Sequence, residues 1–300
     1  MTNLNHKIAF VVATKDRPSE LRQMLKSIEA QTFVPNQIVI VDGSASPEKD
    51  IDKEFPTLRV KYMHRTPPSA SKQRNLGIGA VDPEMSLIGF LDDDIELKEG
   101  SVKAMMDFWE RTPDQVAGAA FNIMNHPPVF ASKLKSFPFV EKLGIYSEKK
   151  GIVLPSGFQT MIGHIPETIY VQWLPTGAVV WRRKIFIQFQ LDEWFSGYSY
   201  LEDLDFSYRA GKKYQLAVVA DAEYLHHSAP GGRGGDFVFG RREVTHRLYF
   251  VRKHKELSLF KCHAALLLRI FISLMMALKE RKMGYLRRAW GNLIGLASKR

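Results

Sequence analysis

Three short apolar runs in the first third of this chain each end on a hydroxyl or an acid: "KIAFVVAT" at Thr14, "QIVIVD" at Asp42, and "SLIGFLDDD" at Asp92, Asp93 and Asp94. Four to six apolar residues in succession, with no polar alternation, suit strands covered on both faces, as in a sheet sandwiched between helices. Between the first two runs a stretch opens near Pro18 in which Leu21, Met24, Leu25 and Ile28 fall at i, i+3, i+4 and i+7. That spacing is one apolar stripe of a helix, and a proline in the first turn forfeits no helical hydrogen bond. A weaker strand, "LRVKYM", and a helix, "ASKQRNLGIGAV", continue the alternation. The pattern predicts an α/β fold with a mostly parallel sheet and right-handed crossovers.

Ligands of open sheets gather beyond the carboxyl ends of the strands. Thr14, Asp16, Asp42 and Asp92 to Asp94 all lie there. Three adjacent aspartates raise one another's cost of ionisation, and a divalent cation removes the conflict. Oxygen ligands favour Mg²⁺ or Mn²⁺, which keep positions for substrate phosphate. The competing reading is a solvated loop leading into a helix cap. A second acidic group, Glu202, Asp203 and Asp205 in "GYSYLEDLDFSYR", sits at an expected helix start. It serves either the helix dipole or, near a metal, general base catalysis. His226 and His227 follow an expected strand, "YQLAVVA", on what reads as a loop.

Residues 125 to 170 are rich in Pro and Gly and read as a long, partly irregular insertion. A strand pair is expected around "VQWLPTGAVVWRR" and a helix over "YLEDLDFSYRAGKK". Four glycines at positions 231 to 235, with Arg233 among them, predict a mobile loop.

The net charge of +10 is concentrated at one end. Residues 241 to 300 hold 15 Lys/Arg and 3 Asp/Glu, net +12, whereas residues 1 to 240 hold 27 and 29, net −2. The chain therefore divides into an α/β domain over 1–240 and a basic helical tail over 241–300. Within the tail, "AALLLRIFISLMMAL" is apolar for 15 residues, short of the roughly 20 that cross a bilayer. Arg269 and Ser273 share one face of that helix, opposite a wide apolar surface, and Tyr285 and Trp290 suit an interface. The expectation is attachment to an anionic membrane surface; packing against the catalytic core is the alternative. Long apolar runs with few interleaved aromatics speak against nucleic acid. One cysteine, Cys262, excludes an intramolecular disulfide, and "MTNLNHKIAF" lacks a signal peptide's apolar stretch. The expected place is the cytoplasm, peripheral on the inner face of the cytoplasmic membrane.

In order and spacing, residues 7 to 230 resemble the family 2 glycosyltransferases of GT-A fold, inverting enzymes that use nucleotide sugars. "FVVATKDRP" is similar to their first strand and turn, with Ala13 and Lys15 as departures. "IVIVDGSAS" is similar to the nucleotide-binding turn, "SASKQRNLGIGA" to the Ala-Arg-Asn-x-Gly helix and "FLDDDIEL" to the Asp-x-Asp element. The resemblance implies that Asp42 contacts the base, Arg74 the base or diphosphate, and Asp92 and Asp93 the ribose and phosphates, with Asp94 ligating metal. Thr14, Asp16, Arg17 and Arg233 fall on the donor side. "LPTGAVVWRRKIF" and "LDEWFSGYSYLEDLDFSYR" resemble the acceptor side, implying Gly177 and Glu202 at the acceptor and Asp203 as base. One of His226 and His227 would hold metal or diphosphate. The implied activity is metal-dependent transfer from a nucleotide-diphosphate sugar, UDP most commonly, to a glycan or lipid-linked acceptor in polysaccharide or glycolipid synthesis. A metal-dependent phosphohydrolase and a non-catalytic lipid- or nucleic-acid-binding protein are the competing readings.

Overall fold

The structure, a computed structural model, describes residues 6–48, 50–126, 141, 144–229 and 234–298. The chain forms two compact units: Met1–Pro128 with Ile162–Pro230, and Val129–Met161 with Gly231–Arg300.

In the first unit the described residues form a nine-stranded sheet in the order β3-β2-β1-β4-β8-β6-β9-β5, with β7 also on β9. Strands β1 (Ile8–Thr14), β2 (Gln37–Asp42), β3 (Val60–His64) and β4 (Leu87–Asp92) are mutually parallel. Next to β4 runs the antiparallel β8 (Ala178–Arg182), then β6 (Val116–Ile123) and the parallel β9 (Gln215–His226). The short β5 (Ile95–Leu97) and β7 (Ile169–Val171) oppose β9. Helices α1 (Pro18–Glu29), α2 (Ile51–Glu54), α3 (Ala70–Ala80), α4 (Ser101–Arg111), α5 (Ile185–Gln188) and α6 (Glu202–Gly211) complete the unit.

The stripe expected on α1 is the one it buries: Leu21, Met24, Leu25 and Ile28 join Phe10, Val12, Ile38 and Ile40 in one core. Each such side chain withdrawn from water contributes roughly 1.5–3 kcal/mol. Helix α3 lies directly on β1 because Gly77 has no side chain; a Cβ there would fall 2.3 Å from Val11 Cγ1. The parallel register sets the polar ends level, with Thr14 opposite Asp42 and Ala13 opposite Asp92.

Two expectations need correcting. The strands around "VQWLPTGAVVWRR" do not pair with each other: β7 joins β9, and β8 inserts between β4 and β6. The strand beginning "YQLAVVA" runs on to His226, so this histidine closes a strand and is not in a loop. It reaches that far because β5, immediately after the aspartates, pairs with it, Ile95 opposite His226.

In the second unit, α7 (Asp236–Lys253), α8 (Leu259–Glu280) and α9 (Met283–Ala297) pack together. Helices α7 and α9 meet at glycines: a Cβ on Gly291 would lie 2.1 Å from the Phe237 carbonyl oxygen, and one on Gly240 would lie 2.3 Å from that of Arg288. Such close backbone approach is open only to small residues. Buried Glu243 of α7 pairs with Arg288 at 2.9 Å and Arg269 at 3.3 Å, and Asn292 Nδ2 donates to Gly240 O at 2.8 Å. Arg247 donates to Gly157 O at 2.5 Å and Gln159 Oε1 at 2.8 Å, fastening part of the Pro/Gly-rich insertion to α7. Helix α8 is 22 residues, longer than its 15-residue apolar run, and by length and composition alone it is long and apolar enough to cross a membrane. Its polar pair turns inward: Ser273 is buried and Arg269 reaches Glu243.

Candidate active site

The edge formed by the carboxyl ends of β1, β2 and β4 gathers most of the residues singled out from the sequence. Asp92 ends β4, and Asp93 and Asp94 form the turn into β5. Pairing of β5 with β9 then delivers His226 across 132 residues of sequence, its Nε2 3.1 Å from Asp94 Oδ1. One ligand atom each from Asp92, Asp94 and His226 lies within 4.8 Å of the others. Two carboxylates and an imidazole make a donor set suited to Mn²⁺ or Mg²⁺, and the side chains of Asp92 and His226 stay partly open to solvent. Ser228 Oγ lies 3.3 Å from His226 Nδ1, the contact that orients the ring. His227 points elsewhere, its Nε2 3.1 Å from Glu96 Oε2.

Two arginines counter these acids. Arg17 donates to Asp93 Oδ1 at 2.9 Å, Asp94 Oδ2 at 3.3 Å and Ala229 O at 3.0 Å. Arg74 of α3 donates to Asp92 Oδ1 at 2.8 Å and pairs with Glu202 at the start of α6. Arg74 thereby ties the acid that ends β4 to the helix carrying the second acidic group. Glu202 Oε2 and Arg74 Nε are buried with no hydrogen-bond partner among the described residues.

The environments separate the three aspartates. Burial, with Asp92 alongside, pushes the Asp93 carboxyl up to about 6 despite hydrogen bonds from Thr14 Oγ1 at 2.7 Å and Arg17. Burial would raise Asp94 too, but His226, Arg17 and the Ala229 N–H outweigh it and hold Asp94 below the usual carboxylate range. Asp94 thus stays anionic, as a metal ligand must. Tyr224, two residues before His226 on β9, is fully buried, and its phenol is raised well above the usual range by burial and by Asp92 and Asp94.

Asp42 is buried, and both its oxygens accept hydrogen bonds: Ser44 N and Oγ donate to its Oδ1 at 2.8 and 2.5 Å, and the Tyr62 hydroxyl donates to its Oδ2. Asp16 is exposed, with φ of 54°, and its N–H donates to Ser44 Oγ at 2.7 Å. Gly177 accepts from the Asp92 N–H at 2.9 Å, and a Cβ there would stand 3.6 Å from Asp92 Oδ2. Asp203 is half-buried in the first turn of α6, where its Oδ1 accepts from the Leu204 N–H at 2.8 Å. Leu201, the residue before α6, is held at φ 70°, a strained conformation for leucine of the kind found at functional sites. Asp205, itself fully buried, has a structural task, pairing with the partly exposed Arg209 at 2.9 Å. Arg233 lies outside the described residues.

Sequence reading missed Tyr62, Gln73 and Tyr224. Gln73 Nε2 donates to Thr14 O at 2.9 Å and Val41 O at 2.8 Å, bracing the ends of β1 and β2. Only Tyr224 carried a usable signal, since it lies two residues from His226 on a strand and shares its face.

Residues 9–165 match the family described as Glycosyl transferase family 2. No curated protein matches the chain in sequence. The fold is similar to that of TarS from S. aureus, with TM-score 0.52 and 15% identity over 89% of this chain and 43% of that one. Against TarS 1-349 in complex with UDP the TM-score is 0.53 at 16% identity, covering 89% and 71% of the two chains. The same form in complex with UDP-GlcNAc gives 0.53 and 16%, covering 89% and 72%. The chain thus spans less than half the length of TarS, and identity this low speaks for the fold alone.

Proposed function

Because the chain belongs to the family 2 glycosyl transferases, we propose that it transfers a sugar, with inversion, from a nucleotide-diphosphate donor to a hydroxyl of a glycan or lipid-linked acceptor. The observation that carries this reading is the convergence of Asp92, Asp94 and His226 at the carboxyl edge of the sheet. UDP is the favoured nucleotide, because the similar TarS fold has been seen with UDP and with UDP-GlcNAc.

In this reading Asp92, Asp94 and His226 hold Mn²⁺ or Mg²⁺, which when bound supplies positive charge against the donor's diphosphate. Asp42 and Arg74 position the nucleotide, and Arg17 keeps Asp93 and Asp94 aligned. Asp203 takes the proton of the acceptor hydroxyl, and the oxygen of that hydroxyl forms the new bond to the anomeric carbon. The bond from that carbon to the diphosphate oxygen breaks, and its electron pair leaves with the nucleoside diphosphate. Glu202, fixed by Arg74, sets the angle of α6 so that Asp203 faces the acceptor.

The test is a panel of nucleotide sugars with and without Mn²⁺, read by thermal shift and by release of nucleoside diphosphate. Metal-dependent stabilisation by one sugar nucleotide is expected. Release of inorganic phosphate from simple phosphate esters, with no response to any sugar nucleotide, contradicts the proposal.

A further inference from the structure

Of the twenty large apolar side chains exposed among the described residues, eleven fall between Leu259 and Leu293. On α8 they recur at helical spacing, with Phe260, Leu267, Phe271, Met275 and Leu278 between 50 and 78% exposed. The opposite face, packed against the neighbouring helices, is made of Cys262, Ala265, Leu266, Ile270, Ser273 and Ala277. A helix on a water-soluble surface is built the other way, with its bulk inside and its small and polar residues out. Trp290, 59% exposed on α9, extends the same apolar surface.

Cations bracket this surface. Exposed Arg252, Lys253 and Lys255 precede α8, and Lys279, Arg281, Lys282 and Arg287 cluster at its far end and the start of α9. Of the three acids in 241–300, Glu243 is already consumed by Arg269 and Arg288. Two copies of such a face would bring like charges together, whereas an anionic lipid surface offers acyl chains to the apolar stripe and headgroups to its flanking cations.

The packing also sets the depth. Helix α7 meets α8 through the Glu243–Arg269 pair and carries Arg241, Arg242, Arg247, Arg252 and Lys253. A spanning α8 would either draw those charges into hydrocarbon or abandon Glu243 and Arg269 unpaired, and both are costly. We propose that α8, with Trp290 of α9, is an in-plane membrane-seating surface. In that arrangement α8 lies parallel to an anionic bilayer, its outward apolar face immersed in one leaflet while Arg269 and Ser273 remain within the protein.

The experiment mixes the full chain with preformed vesicles of phosphatidylcholine alone, or with about a third phosphatidylglycerol, and follows flotation. Co-flotation with the anionic vesicles, weak recovery with the neutral ones and transfer to fresh vesicles within minutes are expected. Phe271→Glu with Leu278→Glu places two charges in the immersed stripe and is expected to weaken partitioning by about tenfold or more. Arg281→Glu with Lys282→Glu, outside the stripe, is expected to abolish most of the preference for anionic lipid. Circular dichroism and a thermal unfolding midpoint unchanged from the wild type show that the variants are folded. Indifference to anionic vesicles, binding by both double variants as strong as the wild type's, or permanent retention on the first vesicles overturns the proposal. So does self-association in sedimentation that the Phe271→Glu, Leu278→Glu pair removes, since the stripe then receives a second copy.

Discussion

Charge is buried in both the sheet edge of the first unit and the helices α7–α9 of the second, but the two regions dispose of it in opposite ways. At the sheet edge Asp92, Asp93 and Asp94 emerge from an apolar strand and are countered by Arg17 and Arg74, with Asp92 and His226 left partly open. In α7–α9 the charge of Glu243 is closed off between Arg269, Arg288 and Asn292, while Phe260, Phe271 and Leu278 face outward. Each region breaks a different rule of soluble folds. The first concentrates like charges, and the second exposes a wide apolar face.

The largest effect is expected from Asp203→Asn, which leaves the acids of the sheet edge in place and removes the group assigned as base. Turnover should fall by about 10²–10⁴-fold with donor affinity kept, measured as kcat against the dissociation constant for the nucleotide. Near-normal kcat would break the assignment of α6 to the chemistry. In the other region, Glu243→Ala strips Arg269 and Arg288 of their shared partner. The expected loss is about 3 kcal/mol in chemical unfolding, toward the low end for a broken buried pair because both arginines are partly solvated.

The same residue predicts a pH dependence of definite sign. Burial opposes ionisation of Glu243, but Arg269 and Arg288 prevail and hold its carboxyl below the ordinary value of 4.5. A depressed folded-state value contributes stability that is present above that ordinary value and disappears as pH falls through the folded one. Unfolding free energies compared between the wild type and Glu243→Gln should therefore converge on acidification below that value. A gap that persists in acid would mean that Glu243 acts through packing.

The smallest effect is expected from Tyr62→Phe, which removes one of the donors holding Asp42 while Ser44 remains. A stability loss of about 1 kcal/mol is expected, with nucleotide affinity weakened no more than about fivefold. A much larger loss of affinity would show that the sheet edge is tuned by its second layer as strongly as by its acids.

What was legible in the sequence was what local periodicity and composition encode. The buried face of α1, the level ends of β1, β2 and β4, and the aspartate triplet all follow from residues close together in the chain. The placement of His226 did not, because it depends on β5, three residues long, pairing with a strand some 130 positions away. Nor did the bridge from Asp92 through Arg74 to Glu202, which joins three elements with no shared sequence signal. Strand β6 escaped notice because "VAGAAFNI" is made largely of small residues, which carry little strand preference. For α8 the period revealed two faces but not which one turned inward. The glycines Gly240, Gly291 and Gly295 were the available clue, since they mark where α7 and α9 close on each other.

The central claim is that the acids of the sheet edge hold a cation against a nucleotide diphosphate. Calorimetric titration of UDP into the wild type and into Asp94→Ala, each with and without Mn²⁺, tests it most directly. The account expects UDP binding that requires Mn²⁺ in the wild type and is lost in the variant, with the fold intact by circular dichroism. Binding of equal strength in all four titrations, or none in the wild type with any nucleoside diphosphate, would contradict it.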